Sequence, residues 1–188
     1  EYAAFGRALE RRRFAFLEQV RDARRVLIAG EGDGRFVARL VGQNPQVQVD
    51  VLEASAGMIR LARRRLPAGA QVRFHQQNAL DPPPPGPYDL MVTHFFLDCL
   101  TDEDTRRFIA GVRPHLPPGA RWLLSEFRQV SYFPASVHSW IWLRTMYGFF
   151  RVFTGLRTAK LPDYTGALDG AGFELETRED RKSTRLNS

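Results

Sequence analysis

Apolar positions recur along this chain in two alternating patterns, helical spacing and short unbroken runs. Residues 2–22 place Phe5, Leu9, Phe16 and Val20 on one face with Arg and Glu elsewhere, which predicts a helix. Arg25-Val26-Leu27-Ile28-Ala29 is a short apolar run closed by glycines and predicts a first strand. Helical spacing resumes over 35–42 and again over 56–65, with strands expected at Val47–Leu52 and Val72–His75. Asp81-Pro82-Pro83-Pro84-Pro85-Gly86-Pro87 reads as a loop, too short for a domain linker. After it come a strand at Tyr88–Val92, a helix over 101–116 and a strand at Ala120–Ser125. Thr101 is a good N-cap for that helix, with Asp102, Glu103 and Asp104 behind it. An aromatic helix is expected over about 135–153, a short helix over 162–171 and a sixth strand at 173–177. Strand and helix alternate five times without an internal repeat. That order predicts a single α/β domain, a doubly wound, mostly parallel sheet with helices on both faces. Ligands in such folds bind at the carboxyl ends of the strands, near the switch point.

Gly30-Glu31-Gly32-Asp33-Gly34 follows the first strand directly and opens a helix. Three glycines so placed let the backbone approach a ligand, and the helix start offers free N–H groups. A tight turn without a ligand uses the same residues. The dinucleotide fingerprint G-x-G-x-x-G needs a glycine where Arg35 stands, which counts against NAD and FAD. Glu53 ends the second strand, where a carboxylate can accept hydrogen bonds from a ribose diol.

From these residues the chain resembles the class I S-adenosylmethionine-dependent methyltransferases, which have a Rossmann-like fold. Val26–Gly34 resembles the family's first motif, and Glu53-Ala54-Ser55-Ala56-Gly57-Met58-Ile59 the second. Gln77-Asn78-Ala79 resembles the third, Tyr88–Leu97 the fourth, and Gly119–Phe127 the fifth strand and its end. The motifs match in order over residues 25–128. The resemblance implies that Gly30, Gly32 and Gly34 pack on the methionine part of S-adenosylmethionine and that Glu53 holds the ribose hydroxyls. It implies that Ala54 and Met58 flank the adenine, with Asn78 at its edge and Ala79 beside it. The backbone around Thr93 and His94 would line the sulfonium end, with side chains there facing the acceptor. Two positions depart from the family. Ile28 stands where an acidic residue often contacts the cofactor's amino group, a contact that would pass to Glu31 or to water. Asn78 stands where Asp is frequent, and an amide can present a donor or an acceptor.

Methyl transfer from a sulfonium needs the acceptor close and in line, and a base only where the acceptor must lose a proton. His94, Asp98 and Glu126 are the candidates for that base, since they follow the fourth and fifth strands. Each also has a structural reading, His94 as a packing residue and Asp98 as a helix cap. His75, His115 and His138 are scattered and form no metal pattern. The segment Val137–Phe153 is apolar nearly all round, apart from a narrow stripe with Arg144 and Arg151. Simple burial, a lid over an apolar acceptor and a face touching membrane all fit it.

Composition narrows this further. With 188 residues and 44% apolar content, the chain is long enough for one substantial core. A single cysteine, Cys99, excludes a disulfide framework and a cysteine-based zinc site, and the expected compartment is the cytoplasm. No apolar run reaches the ~20 residues of a membrane span. The net charge is +6, from 25 Arg and two Lys against 21 acidic residues. The runs Arg11–Arg13 and Arg63–Arg65 read as solvated helix faces. Residues 180–188 lack periodicity and resemble a translated sequencing adapter; without them the net charge falls from +6 to +4. The expectation is one domain over 1–179, truncated at both ends and lacking the family's last antiparallel strand, with an exposed sheet edge. The leading reading is methylation of a small, apolar molecule on O, C or N. No basic stripe with interleaved aromatics points to nucleic acid. An RNA or protein methyltransferase and a non-catalytic binding module remain as alternatives.

Overall fold

Five short apolar runs assemble into one sheet. The computed structural model describes residues 17–125 and 162–174. Strands β1 (Arg25–Ala29), β2 (Gln48–Leu52), β3 (Val72–His75), β4 (Leu90–His94) and β5 (Arg121–Ser125) are all parallel. They lie in the order β3-β2-β1-β4-β5. Helices α1 (Arg35–Gln43), α2 (Ala56–Arg65), α3 (Asp102–Val112) and α4 (Tyr164–Gly170) connect or follow them. Because the strand order reverses beside β1, the switch point lies between β1 and β4, and ligand space opens above their carboxyl ends.

The sheet has a core on each side, so the central strands read as unbroken apolar runs. On one face Val26, Ile28, Val49, Val51, Leu90 and Val92 pack against Phe36, Val37, Leu40 and Val41 of α1. On the other, Leu27, Ala29, Leu52 and Met91 meet Phe108, Ile109 and Val112 of α3. Each fully buried Leu or Phe here contributes about 1.5–3 kcal/mol relative to exposure. Helix starts follow cap chemistry. Ser55 Oγ accepts from Met58 N at 3.3 Å, Thr101 Oγ1 from Asp104 N at 3.0 Å and Asp163 Oδ1 from Gly166 N at 2.9 Å.

The outcome departs from the sequence pattern at four places. Strand β4 begins at Leu90, not Tyr88, and runs through His94. Tyr88 and Asp89 serve other partners. Tyr88 N donates to His115 O at 2.8 Å, and the Asp89 carboxylate accepts from Arg24 N and Arg25 N at 2.8 and 3.0 Å. The helix expected over 101–116 stops at Val112 and tightens into a 3-10 turn, Arg113–His115, around Pro114. A further 3-10 turn, Leu97–Cys99, follows β4. Of the helix expected over 2–22, the described part is a 3-10 turn, Leu17–Val20. The aromatic segment 135–153 lies outside the described residues. So does most of the strand expected at 173–177, whose first residues, Phe173 and Glu174, carry no strand.

A buried carboxylate gathers a polar cluster within the layers. Asp50, in β2, is 1% exposed. Its Oδ1 accepts from His75 Nε2 at 2.8 Å and from Arg73 Nε at 3.1 Å, and its Oδ2 faces the Tyr88 hydroxyl at 3.1 Å. Arg25 stands 3.8 Å from Oδ2 and donates to the carbonyls of Pro85 and Gly86. This cluster ties β1, β2, β3 and the proline loop together beneath the ligand-facing edge.

Candidate functional site

The turn after β1 stays close to the sheet. Gly30 N donates to Leu52 O at 3.1 Å, which carries the β1–β2 ladder one residue past the strand. Gly30 and Gly34 have φ of 70° and 86°, in the left-handed region. Each is also a point of close approach: a Cβ on Gly30 would stand 2.7 Å from Phe96 Cδ2, and one on Gly34 would overlap the Ala62 backbone of α2. Only glycine meets both conditions. Gly32 differs, with no atom within 4 Å of its Cβ position, so the turn opens onto free space there.

Glu53 follows β2 directly, and its carboxylate joins two turns. Oε2 accepts from Gly32 N at 3.2 Å and Oε1 from Ser55 N at 2.9 Å. Burial pushes its pKa above the ordinary 4.5, while the N–H groups of Ser55, Gly32 and Ala54 pull the other way. A carboxylate offers about four lone-pair positions, so two acceptor directions remain after these bonds. The glycine turn is also gripped from α2. Arg65 reaches the Asp33 carbonyl and stands 3.2 Å from Asp33 Oδ2, which Arg35 Nε also meets at 2.9 Å. Arg65 and Asp33 were not legible as site residues, because a basic helix end and a turn aspartate both pass for solvated groups.

Glu31 is turned inward. It is 3% exposed, and its Oε1 accepts from Phe36 N at 2.9 Å and Val37 N at 3.1 Å. Through that oxygen it satisfies the first N–H groups of α1. Asn78 is exposed after β3, and its Oδ1 accepts from Leu80 N at 3.0 Å. That bond fixes the amide orientation, so Asn78 presents its NH2 as a donor. Ala79 is half-buried beside it, Ala54 is exposed, and Met58 is half-buried in the first turn of α2.

Thr93 and His94 are strand residues, both buried, on opposite faces. Thr93 Oγ1 accepts from Trp122 Nε1 at 2.9 Å, and the His94 ring meets Phe36 edge-on at 4.6 Å. Both side chains thus make packing or hydrogen-bond contacts at the end of β4. Directly after them Phe95 has φ of 55°, the one non-glycine residue with positive φ among those described. Such a conformation costs on the order of 1–3 kcal/mol and is held by its surroundings; here Phe95 N donates to Ser125 O. Phe96 then begins a chain of edge-to-face rings through Phe108 and Trp122 to Phe173, at 5.2, 6.1 and 5.3 Å. The need for glycine at position 30 was the one sequence signal for Phe96. Asp98 is buried in the turn Leu97–Cys99, with Cys99 Sγ 3.4 Å from its Oδ1. Glu126 lies outside the described residues.

His75 and His115 are structural, the first on Asp50 and the second accepting Gly86 N at its Nδ1. Among the described residues no group of His, Cys, Asp and Glu could hold a metal ion, and no helix is long and apolar enough to cross a membrane.

Known proteins resemble this chain in sequence and fold. The family described as a methyltransferase domain matches residues 27–122. The trans-aconitate 2-methyltransferase of Azoarcus sp. (strain BH72) is 35% identical over 98 residues, 52% of this chain and 37% of that protein. A SAM-bound amino pentose methyltransferase from Micromonospora echinaspora, involved in calicheamicin biosynthesis, superposes with a TM-score of 0.57 at 25% identity. That match covers 70% of this chain and 58% of the other. An O-methyltransferase family protein from Burkholderia thailandensis shares the fold with a TM-score of 0.64 at 20% identity, over 95% of this chain and 56% of its own. The chain thus spans between about a third and three fifths of the length of these relatives.

Proposed function

The chain belongs to the methyltransferase domain family, and from that premise we propose that it transfers a methyl group from S-adenosylmethionine to a small, apolar molecule. The observation that carries this reading is the Glu53 carboxylate, which bridges Gly32 N and Ser55 N and keeps two acceptor directions for a ribose diol. The residues fit the cofactor in a second respect, since the turn at Gly32 leaves its Cβ position open. Gly30, Gly32 and Gly34 would pack on the methionine part, Ala54 and Met58 would flank the adenine, and Asn78 would donate to its edge. S-adenosylmethionine supplies an already activated methyl group when bound.

What remains for the protein is alignment of the acceptor and exclusion of water. The backbone at Thr93 and His94 bounds the reacting end, and the strained turn at Phe95 with the rings of Phe96 and Trp122 supplies an apolar wall. That wall favours an apolar acceptor. The likeness to an amino pentose methyltransferase favours a small-molecule acceptor. His94, Asp98 and Glu126 stand as bases only for an acceptor that must lose a proton. The reading expects action in the cytoplasm.

Calorimetric titration with S-adenosylmethionine and S-adenosylhomocysteine tests it. Micromolar binding that is lost in Glu53→Ala, followed by methyl transfer in a screen of apolar acceptors, is the expected result. No binding of either compound by the folded protein overturns it.

A further inference from the structure

Helix α2 carries four arginines, and they divide by partner. Arg65 holds Asp33, and Arg63 lies over the Phe74 ring at 5.5 Å. Arg60 and Arg64 have no hydrogen-bond or ion-pair partner among the described residues, and α2 contains no acidic residue to supply one. These two are one turn apart, so their guanidinium groups can converge on one anion. Both line the same open cavity of about 630 Å3, together with Met58, Leu61 and Gln76. The cavity places positive charge next to apolar surface. Leu61 is 42% exposed, the one large hydrophobic side chain left exposed among the described residues. Arg60 is folded back along the helix, with Nη2 3.8 Å from the Cβ position of Gly57, so its head group lies over the first turn beside Met58.

We propose that this cavity binds a second ligand, a small amphiphilic anion, with its carboxylate or phosphate between Arg60 and Arg64 and its apolar body on Leu61. Two exposed cations without counter-charges repel each other, and an anion bound between them removes that repulsion. Leu61 in the same wall selects against a bare inorganic ion, which would leave the apolar surface in water. The ligand is distinct from a methyl acceptor. The cavity lies at the β2–β3 side of the sheet, whereas the end of β4 lies on the other side of β1. That it borders the adenine through Ala54 and Met58 rests on the function proposed above; the anion site itself does not.

Hexyl phosphate is the probe, titrated calorimetrically into the full chain beside inorganic phosphate and hexanol. Hexyl phosphate is expected to bind more tightly than either. The Arg60→Ala/Arg64→Ala double variant should weaken it by at least about tenfold, and Leu61→Ser should weaken it while leaving inorganic phosphate unaffected. Both variants change exposed side chains, and a melting curve verifies that they fold. Equal affinity in wild type and double variant overturns the proposal. So does binding only to vesicles of phosphatidylcholine with phosphatidylglycerol and not to the soluble probe, which would make the patch a membrane contact. S-adenosylhomocysteine titrated into the same samples separates the two readings: hexyl phosphate binding without it sinks the methyltransferase proposal alone, and the converse sinks the anion site alone.

Discussion

At the scale of the residue, one carboxylate carries the proposed cofactor site. Glu53 is held by two backbone N–H groups, yet burial raises its pKa above the ordinary 4.5. A raised carboxylate pKa means that folding favours the protonated form, so its contribution to stability is full below the unfolded value and is lost as pH rises through the folded one. Ribose hydroxyls donate to the ionised form. Affinity for S-adenosylhomocysteine is therefore expected to fall as pH is lowered through the Glu53 titration. Glu53→Gln should flatten that dependence and weaken binding at neutral pH by about tenfold. Calorimetric titrations from pH 4 to pH 7 on both proteins check this; an equally steep loss in Glu53→Gln would assign the effect to another group. The place of Glu53 at the end of β2 was legible because the apolar run of that strand stops there. The capping contact of Glu31 was not legible, because a carboxylate just before a helix suits the helix's own N–H groups as well as it suits a ligand.

At the scale of the element, the approach of α2 to the glycine turn sets the shape of the cleft. Helix α2 was legible over residues 56–65 because apolar spacing is a local property, and the structure adds Ser55 as its cap. Strand β4 was legible only in part. Its start is set by Asp89 and Tyr88 bonding to residues distant in sequence, which no local pattern records. The contact between Gly34 and Ala62 was equally invisible, and it yields a contrast between two glycines of like conformation. Gly32→Ala places a Cβ in open space at φ 67° and should cost about 1 kcal/mol. Gly34→Ala adds overlap with the Ala62 backbone and should cost at least about 2 kcal/mol. Urea unfolding of the two variants measures the difference, and equal losses would show that α2 can give way at no cost.

At the scale of the whole molecule, the Asp50 cluster couples the sheet to the proline loop. A lone aspartate in an apolar run looks like a surface position; it becomes buried only when β3 and the loop before β4 close over it, which is tertiary information. Removing its charge leaves Arg73, His75 and Tyr88 facing a neutral amide, so Asp50→Asn should destabilise by about 3 kcal/mol. Tyr88 adds a signature that does not depend on that figure. Burial, with Asp50 beside it, pushes the Tyr88 hydroxyl from 10.0 up to about 12, while Arg25 and Arg73 oppose the shift. Since the folded pKa is the higher, the Tyr88 contribution is full below about pH 10 and is lost between pH 10 and about 12. Stability from urea unfolding should fall across that window in the natural sequence and fall less in Tyr88→Phe. In Asp50→Asn the fall should move toward lower pH, because both burial and the Asp50 carboxylate raise the Tyr88 pKa, and Tyr88→Phe is the decisive comparison. If it follows the same curve as the natural sequence, ionisation of the Tyr88 hydroxyl contributes nothing to stability across that window.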